Sequence, residues 1–236
     1  MKLRIDLHSH SRFSADGVSE PEAMFEEAKR KGLDGFAITD HNTCACVDYF
    51  LQHGMMREDG QPVDGILIIP GQEITTSAGH LLALGVRLPD LKGISPAEAI
   101  ELIHQGGGIA IPPHPYDMFR AGIRAAVMDT LQIDGVEVFN AATTLRRYNR
   151  LANEYALRRG LPMTAGSDAH HEDALGVSYT ILEPDSFDLA SVLESIRHPA
   201  GLQQTYITAR DALRKTFNNV FRLKRPRRAA KTQQKK

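Results

Sequence analysis

Histidines and carboxylates recur in this chain in short polar clusters. "DLHSHSRFSADG" holds His8, His10 and Asp16, "ITDHN" holds Asp40 and His41, and "PGQEI" holds Glu73. "GHLLALG" holds His80, "PPHPY" holds His114, and "GSDAHH" holds Asp168, His170 and His171. On a strand, residues two apart share a side, so His8 and His10 face one way. One such pair reads as a metal clamp, a catalytic pair or a coincidence, and its partners must choose among them. Five apolar runs ("RIDL", "GFAIT", "ILIIPG", "GIAIPP" and "LPMTAG") each carry His or acidic residues just past their C-terminal ends. Histidines placed for packing would show no such bias. Imidazole with carboxylate and no thiolate suits zinc, manganese or iron. The nine candidate ligands are His8, His10, Asp16, His41, Glu73, His80, His114, Asp168 and His170. At four to six donors per ion they serve two to three ions. Clustered ions clamp a phosphoryl group from both sides and lower the pKa of bound water to about 7.

The elements that must position these residues alternate. Strand patterns fall at the five runs and at "HLLALGV" and "GVEVF", and capped helical patterns lie between them. "SEPEAMFEEAKRKG" predicts a helix with a Ser N-cap, Pro in the first turn and Gly at the end. "SPAEAIELIHQGGG" repeats those signals, and "TTLRRYNRLANEYALRRG" is closed by Gly. "FDLASVLESIRH" and "ARDALRKTFNNVFRL" read as outer helices. Ile/Val/Leu-rich strands followed by helices predict a parallel β/α barrel, whose strand C-termini open on one face and build the site there. His80 precedes its run, so it joins that face only if "QEITTSAGHLLALG" folds back as a hairpin extension of the third strand. His53, His104 and His198 fall in helical patterns and read as surface or packing residues. No serine elbow, P-loop or dinucleotide motif competes; "GGG" at 106–108 ends a helix ahead of a strand, the wrong order for a phosphate cradle.

With 236 residues, 42% hydrophobic and 24% charged, the chain has the composition of an ordinary globular protein with a sizeable core. We expect one domain over 1–223 and a basic, disordered tail over 224–236. The net charge of −1 hides an asymmetry: the last fifteen residues hold eight Lys or Arg and no acid, leaving 20 basic against 29 acidic residues in the body. Such a tail is a candidate for weak nucleic-acid contact. No apolar run approaches the ~18 residues of a membrane span, and Asp6 interrupts the place of a signal core, so a cytoplasmic protein without membrane contact is expected. Cys44 and Cys46 are the only cysteines, too few for a disulfide framework, and read as small residues opening a helix.

Taken together, the motifs from Asp6 to His171 resemble the PHP family, named for polymerase and histidinol phosphatase domains. The resemblance implies a distorted seven-stranded (β/α) TIM-like barrel with a trinuclear site at the same nine positions, His80 included. Glu73 would bridge, with Asp168 also at the metals and Glu73, Asp168 and His114 as catalytic residues. The implied activity is metal-dependent hydrolysis of a phosphate ester: a small phosphorylated metabolite, a nucleotide or a 5′ oligonucleotide end, including 5′-3′ exonuclease action. One residue more than in many members separates His10 from Asp16, and the stretch from His80 to His114 lacks a helical insertion common in nucleotide-processing members. Arg12, Arg120 and Arg124 are the candidates for holding substrate phosphate, since the guanidinium fork matches phosphate oxygens. Hydrolysis of a C–N bond at the same metals, or a non-catalytic nucleic-acid-associated module, are the competing readings. Substrate and oligomeric state are not legible.

Overall fold

All seven apolar runs become strands. The computed structural model describes residues 1–208. In chain order come β1 (Leu3–Asp6), α1 (Pro21–Lys31), β2 (Gly35–Ala37), α2 (Ala45–Gln52), β3 (Leu67–Ile69), β4 (Gly71–Thr76), β5 (Gly79–Leu84), α3 (Pro96–Gln105) and β6 (Ile109–Ile111). Then follow α4 (Ala125–Met128), β7 (Val136–Asn140), α5 (Arg146–Arg159), β8 (Met163–Gly166), β9 (Tyr179–Leu182), α6 (Leu189–Ile196) and β10 (Gly201–Gln203), with one-turn 3-10 segments at Met118–Arg120 and Glu172–Ala174. The helix expected over "ARDALRKTFNNVFRL" and the basic tail over 224–236 lie outside the described residues. Among the described residues no helix is long and apolar enough to cross a membrane.

Helix ends follow local chemistry, with one correction. In α3 the Ser95 hydroxyl accepts from Glu98 N while the Glu98 carboxylate accepts from Ser95 N, a reciprocal capping box. Gly32 and Gly160 close α1 and α5 in the left-handed conformation. The N-cap of α1, however, is Glu20 rather than Ser19. Ser19 is held in the preceding segment, where its carbonyl accepts from Arg12 N at 2.8 Å.

The strands were expected to be all parallel and closed. Instead the described strands form three sheets, none closed: β10-β9-β1-β2-β3, β4-β5-β6 and β7-β8. Helical crossovers make β1, β2 and β3 parallel. β4 reverses through Ser77 and Ala78 into β5, an antiparallel hairpin with Thr75 opposite His80, and β6 adds antiparallel to β5. Gly79 has φ 136° at that turn, and the Thr76 hydroxyl donates to its carbonyl at 2.5 Å. β9 returns antiparallel against β1. Single bridges Ser9–Ala169, flanked by predicted ligands, and His41–Glu73, made by two of them, join these segments. Pairing stops where backbone is diverted to aim side chains: His114 and Asp168 have φ of 32° and 52°, in or near the left-handed region unusual for such residues.

β2 and β3 are buried on both faces, as parallel strands usually are. Ala37, Leu67 and Ile69 join Ile5, Leu7, Leu82, Ile111 and Val192 in one cluster. Phe36 and Ile68 face the other way, against Met24, Phe25 and Ala28 of α1 and Phe50 of α2. Truncating a fully buried ring such as Phe36 to alanine would cost about 3–5 kcal/mol.

Candidate metal centre

The His-x-His of the first motif is oriented by the serine between its histidines. The Ser9 hydroxyl donates to Ala37 O at 2.6 Å, fixing that side chain toward β2. Alternation then turns His8 and His10 the other way, into a fully buried site. Their Nε2 atoms lie 3.1 Å apart, and Glu73 meets both, with its Oε2 3.4 Å from His8 Nε2 and 3.2 Å from His10 Nε2. The same oxygen is 3.3 Å from His41 Nδ1, while Oε1 is 2.7 Å from His80 Nδ1 and 3.1 Å from His114 Nε2. His80 reaches this point because the β4–β5 hairpin forms. Asp16 Oδ2 contacts His170 Nε2 at 2.8 Å, and Asp168 Oδ1 lies 3.5 Å from His10 Nε2 and 3.4 Å from His170 Nδ1. The longer spacing before Asp16 is absorbed by a turn, in which Ser14 N donates to Ser11 O and the Ser14 hydroxyl donates to Asp16 Oδ1 at 3.0 Å.

All nine predicted ligands thus converge. Four overlapping groups, each with donor atoms within 4.8 Å of one another, contain every one of them: His10–Asp16–His41–His170, His8–His114–Asp168, His8–His10–Glu73 and His41–Glu73–His80. The donor set fits a divalent metal. His8 and His10 turn ring nitrogens toward each other, and a neutral imidazole has only one N–H to give. The buried Nδ1 atoms of His41 and His80 approach Glu73 without forming a hydrogen bond, an arrangement that costs free energy unless a further atom is shared. Nitrogen and oxygen donors without thiolate match zinc, manganese or iron.

Electrostatics follow the same crowding. Burial would raise the Glu73 pKa, yet the surrounding imidazoles of His80, His41 and His8 hold it well below the usual range. Burial and the neighbouring His170 push His10 down to about 3, so its imidazole is neutral, the form that is able to coordinate a metal. Burial opposes the charge on His8, but Asp168, Glu137 and Glu73 raise its pKa.

Behind the cluster lies a layer of acceptors that the sequence reading did not assign. Glu137 of β7 is 1% exposed. Its Oε1 contacts His8 Nδ1 at 3.0 Å, and its Oε2 accepts from His114 N at 2.8 Å and Asn140 Nδ2 at 2.9 Å. Asn140 also donates to Asp168 Oδ2 at 3.1 Å. A Cβ on Gly166 would come within 2.7 Å of both Glu137 Oε1 and His8 Cβ, so only glycine leaves room there. Asp6 accepts from Ser167 N and Oγ, and Asp40 from Ser11 N and Oγ; burial raises both carboxyls to about 6. The available signal for Glu137 was an acid inside the apolar run "GVEVF".

The centre opens into a cavity of about 260 Å³ lined by Asp16, His41, Glu73, His80, His114, Phe119, Arg120 and Thr144. Of the three predicted phosphate-binding arginines only Arg120 lines it, paired with Asp168 and donating to Ala142 O at 2.8 Å. Arg12 is instead paired with Glu20 at 2.6 Å and lies over the Phe13 ring, and Arg124 is exposed at the start of α4. His53 bonds Tyr49 O, while His104 and His198 pair with Asp134 and Glu194, away from the centre as expected. A larger cavity of about 390 Å³, between Gly60, Gly107 and Leu189, holds none of the metal-binding groups.

Comparison with known proteins agrees with this geometry. The family model of the PHP domain matches residues 6–88, and that of the PHP-associated region matches residues 146–200. An uncharacterized protein of Methanocaldococcus jannaschii is 36% identical over 149 residues, spanning 59% of this chain and 82% of the relative. The chain belongs to the PHP family. That is the family of metal-dependent phosphoesterases whose motifs the sequence resembles. A two-domain protein from Bacteroides vulgatus containing a predicted PHP-like metal-dependent phosphoesterase superposes with a TM-score of 0.68 at 22% identity, over 93% of this chain and 70% of that one. Endonuclease Q, in complex with a DNA duplex bearing an abasic lesion, superposes with a TM-score of 0.65 at 18% identity, over 92% of this chain and 67% of that one. At those identities the likeness is one of fold.

Proposed function

We propose that this PHP protein hydrolyses a phosphate ester at a trinuclear centre. The observation that supports this best is the placing of Glu73, both of whose carboxylate oxygens face imidazoles from five separate positions on the floor of an open pocket. His8, His10, Asp16, His41, Glu73, His80, His114, Asp168 and His170 would hold two to three ions of manganese, zinc or iron, with Glu73 bridging. Bound there, such ions supply Lewis-acid charge and water acidified to a pKa of about 7.

The chain's own residues do the rest. Arg120, adjoining the cluster, offers two N–H groups to phosphoryl oxygens, a bidentate contact worth more than a point charge. Asp168 holds that guanidinium at the cluster. Glu137 keeps the His8 ring in one orientation through Nδ1 and the His114 backbone in place. Glu73 and His114 line the pocket and, with Asp168 behind them, are the residues we assign to catalysis, burial of the floor limiting bulk water.

A screen of the purified full chain with added manganese over sugar phosphates, nucleotides and short oligonucleotides tests the reading. Release of phosphate or nucleotide from at least one class, lost on chelation, is expected. No hydrolysis of any ester by protein shown to hold metal would overturn it. Nucleic acid is the second substrate class, supported by the fold shared with Endonuclease Q, whose structure holds a DNA duplex.

A further inference from the structure

One large apolar side chain, that of Phe119, stands exposed in the lining of the metal-centre pocket. The large hydrophobic side chains exposed among the described residues are Met1, Met118, Phe119, Leu145, Leu151 and Leu157. Met118, Phe119 and Leu145 stand on the two loops that follow β6 and β7. Phe119, 74% exposed, lines the cavity itself, as does Thr144 beside Leu145. Apolar residues scattered singly on a surface need no explanation, but an exposed ring that lines a ligand pocket does.

These loops are built to hold their shape. Asp117 is fully buried and accepts from Phe119 N at 3.1 Å and from Thr144 N at 2.8 Å, joining one loop to the other. Arg120 adds a second tie through Ala142 O. Tyr116 and Ala121, which flank the segment, take φ of 68° and 53°, and a Cβ on Gly122 would lie 2.3 Å from His114 O. Strained backbone of this kind persists where its surroundings enforce it, commonly at ligand clamps.

Size then constrains the occupant. About 260 Å³ is below the ~300–1,000 Å³ of pockets that swallow a whole drug-sized ligand. The cavity takes the phosphoryl end and leaves the remainder of the ester over the rim. Consecutive residues serve the two parts: Arg120 turns to the charged floor, and Phe119 presents its ring to the opening.

We propose that Phe119 receives a planar aromatic ring carried by the phosphate ester. This rests on the phosphoesterase reading and names its substrate class. A nucleobase and a directly esterified phenyl group share the required chemistry, and stacking on an aromatic side chain recognises either.

The test uses the manganese-loaded full chain and two pairs of esters: adenosine 5′-monophosphate against ribose 5-phosphate, and phenyl phosphate against ethyl phosphate. Phe119→Ala raises KM about tenfold or more for a ring-bearing ester and leaves its kcat within about twofold. Both constants for the ringless partners stay within about twofold. Phe119→Tyr restores the wild-type values, and Leu157→Ala, on an exposed face of α5, changes none. A response confined to the nucleotide assigns the ring as a base, and one confined to phenyl phosphate assigns it as a direct substituent. Equal change for ring-bearing and ringless esters, or none for either, overturns the proposal while the phosphoesterase reading stands. If no ester is hydrolysed, calorimetric binding of adenosine 5′-monophosphate and ribose 5-phosphate to the same proteins separates the two ideas. Tighter binding of the nucleotide, lost in Phe119→Ala, keeps the ring site and sinks the hydrolytic reading; equal binding of both probes sinks the ring site.

Discussion

Glu73, on the floor of the pocket, is 1% exposed and lies within 3.4 Å of ring nitrogens from His8, His10, His41, His80 and His114. Phe119, on the rim of the same pocket, is 74% exposed, and its backbone rather than its ring is what the protein fixes. The floor is over-determined: Glu137 stands behind His8 and the His114 backbone, Asn140 behind Asp168, and His114 and Asp168 rest on unusual backbone. The rim is a rigid frame carrying side chains on which little else leans. Chemistry that needs charge at one point requires the first kind of construction, since a misplaced buried carboxylate or imidazole is costly. Choosing among substrates requires the second, because a rim side chain can change without unfolding what holds it.

The largest expected effect comes from the floor. Glu73→Gln keeps the shape and removes the central negative charge, and kcat should fall on the order of 10³-fold, as several kcal/mol of charge stabilisation implies. Circular dichroism should show the fold retained. A variant with near-normal turnover would break the distinction, because the floor would then tolerate substitution as the rim does.

One layer back, Glu137→Gln should weaken metal affinity or activity about 10–100-fold. It leaves a group that can still bond His8 Nδ1 but no longer fixes the ring by charge. Elemental analysis after dialysis against graded chelator reads this directly. A loss as large as that of Glu73→Gln would make Glu137 a ligand rather than a positioning residue.

Metal removal should lower stability. Saturation at about 100 times Kd contributes about 2.7 kcal/mol, equivalent to roughly 5–10 °C in Tm for a chain of this size. The pH slope should change as well. Burial opposes charge on His41, but Glu73 and Asp16 raise its pKa to about 9 in the metal-free protein. Its folded pKa lies above the ordinary 6.5, so its contribution is full below pH 6.5 and is lost as pH rises through about 9. Metal-loaded protein should lack that loss, since a ligating nitrogen carries no proton. Thermal melts from pH 6 to 9.5, with and without chelator, check both; identical curves would separate the histidine cluster from metal binding altogether.

The smallest effect is expected away from both regions. His53→Asn, exposed at the end of α2, should alter turnover and Tm by less than experimental scatter. A measurable loss of activity there would mean that the boundary of the functional region is drawn too tightly.

Sequence by itself determined the floor. The nine candidate ligands that the structure gathers were named from sequence, and for eight of them the clustering of His and acid near the ends of apolar runs is a local pattern. The helix caps at Ser95, Gly32 and Gly160 were legible for the same reason, each being a contact within a few residues. What only the tertiary structure decided is long-range. His80 depended on a hairpin whose direction is set by one turn. Glu20 rather than Ser19 became the N-cap of α1, with the Ser19 carbonyl accepting from Arg12 N, and Arg12 itself turned to Glu20 rather than to the pocket. Glu137 acts from 129 residues away on His8, and Asp117 joins Phe119 to Thr144 across two loops. The closed parallel barrel gave way to three sheets because hydrogen-bond register belongs to pairs of strands, not to any one of them. Residue type and spacing announce which atoms can bind a metal; where a ring or a guanidinium comes to rest depends on partners that the chain brings near only when it folds.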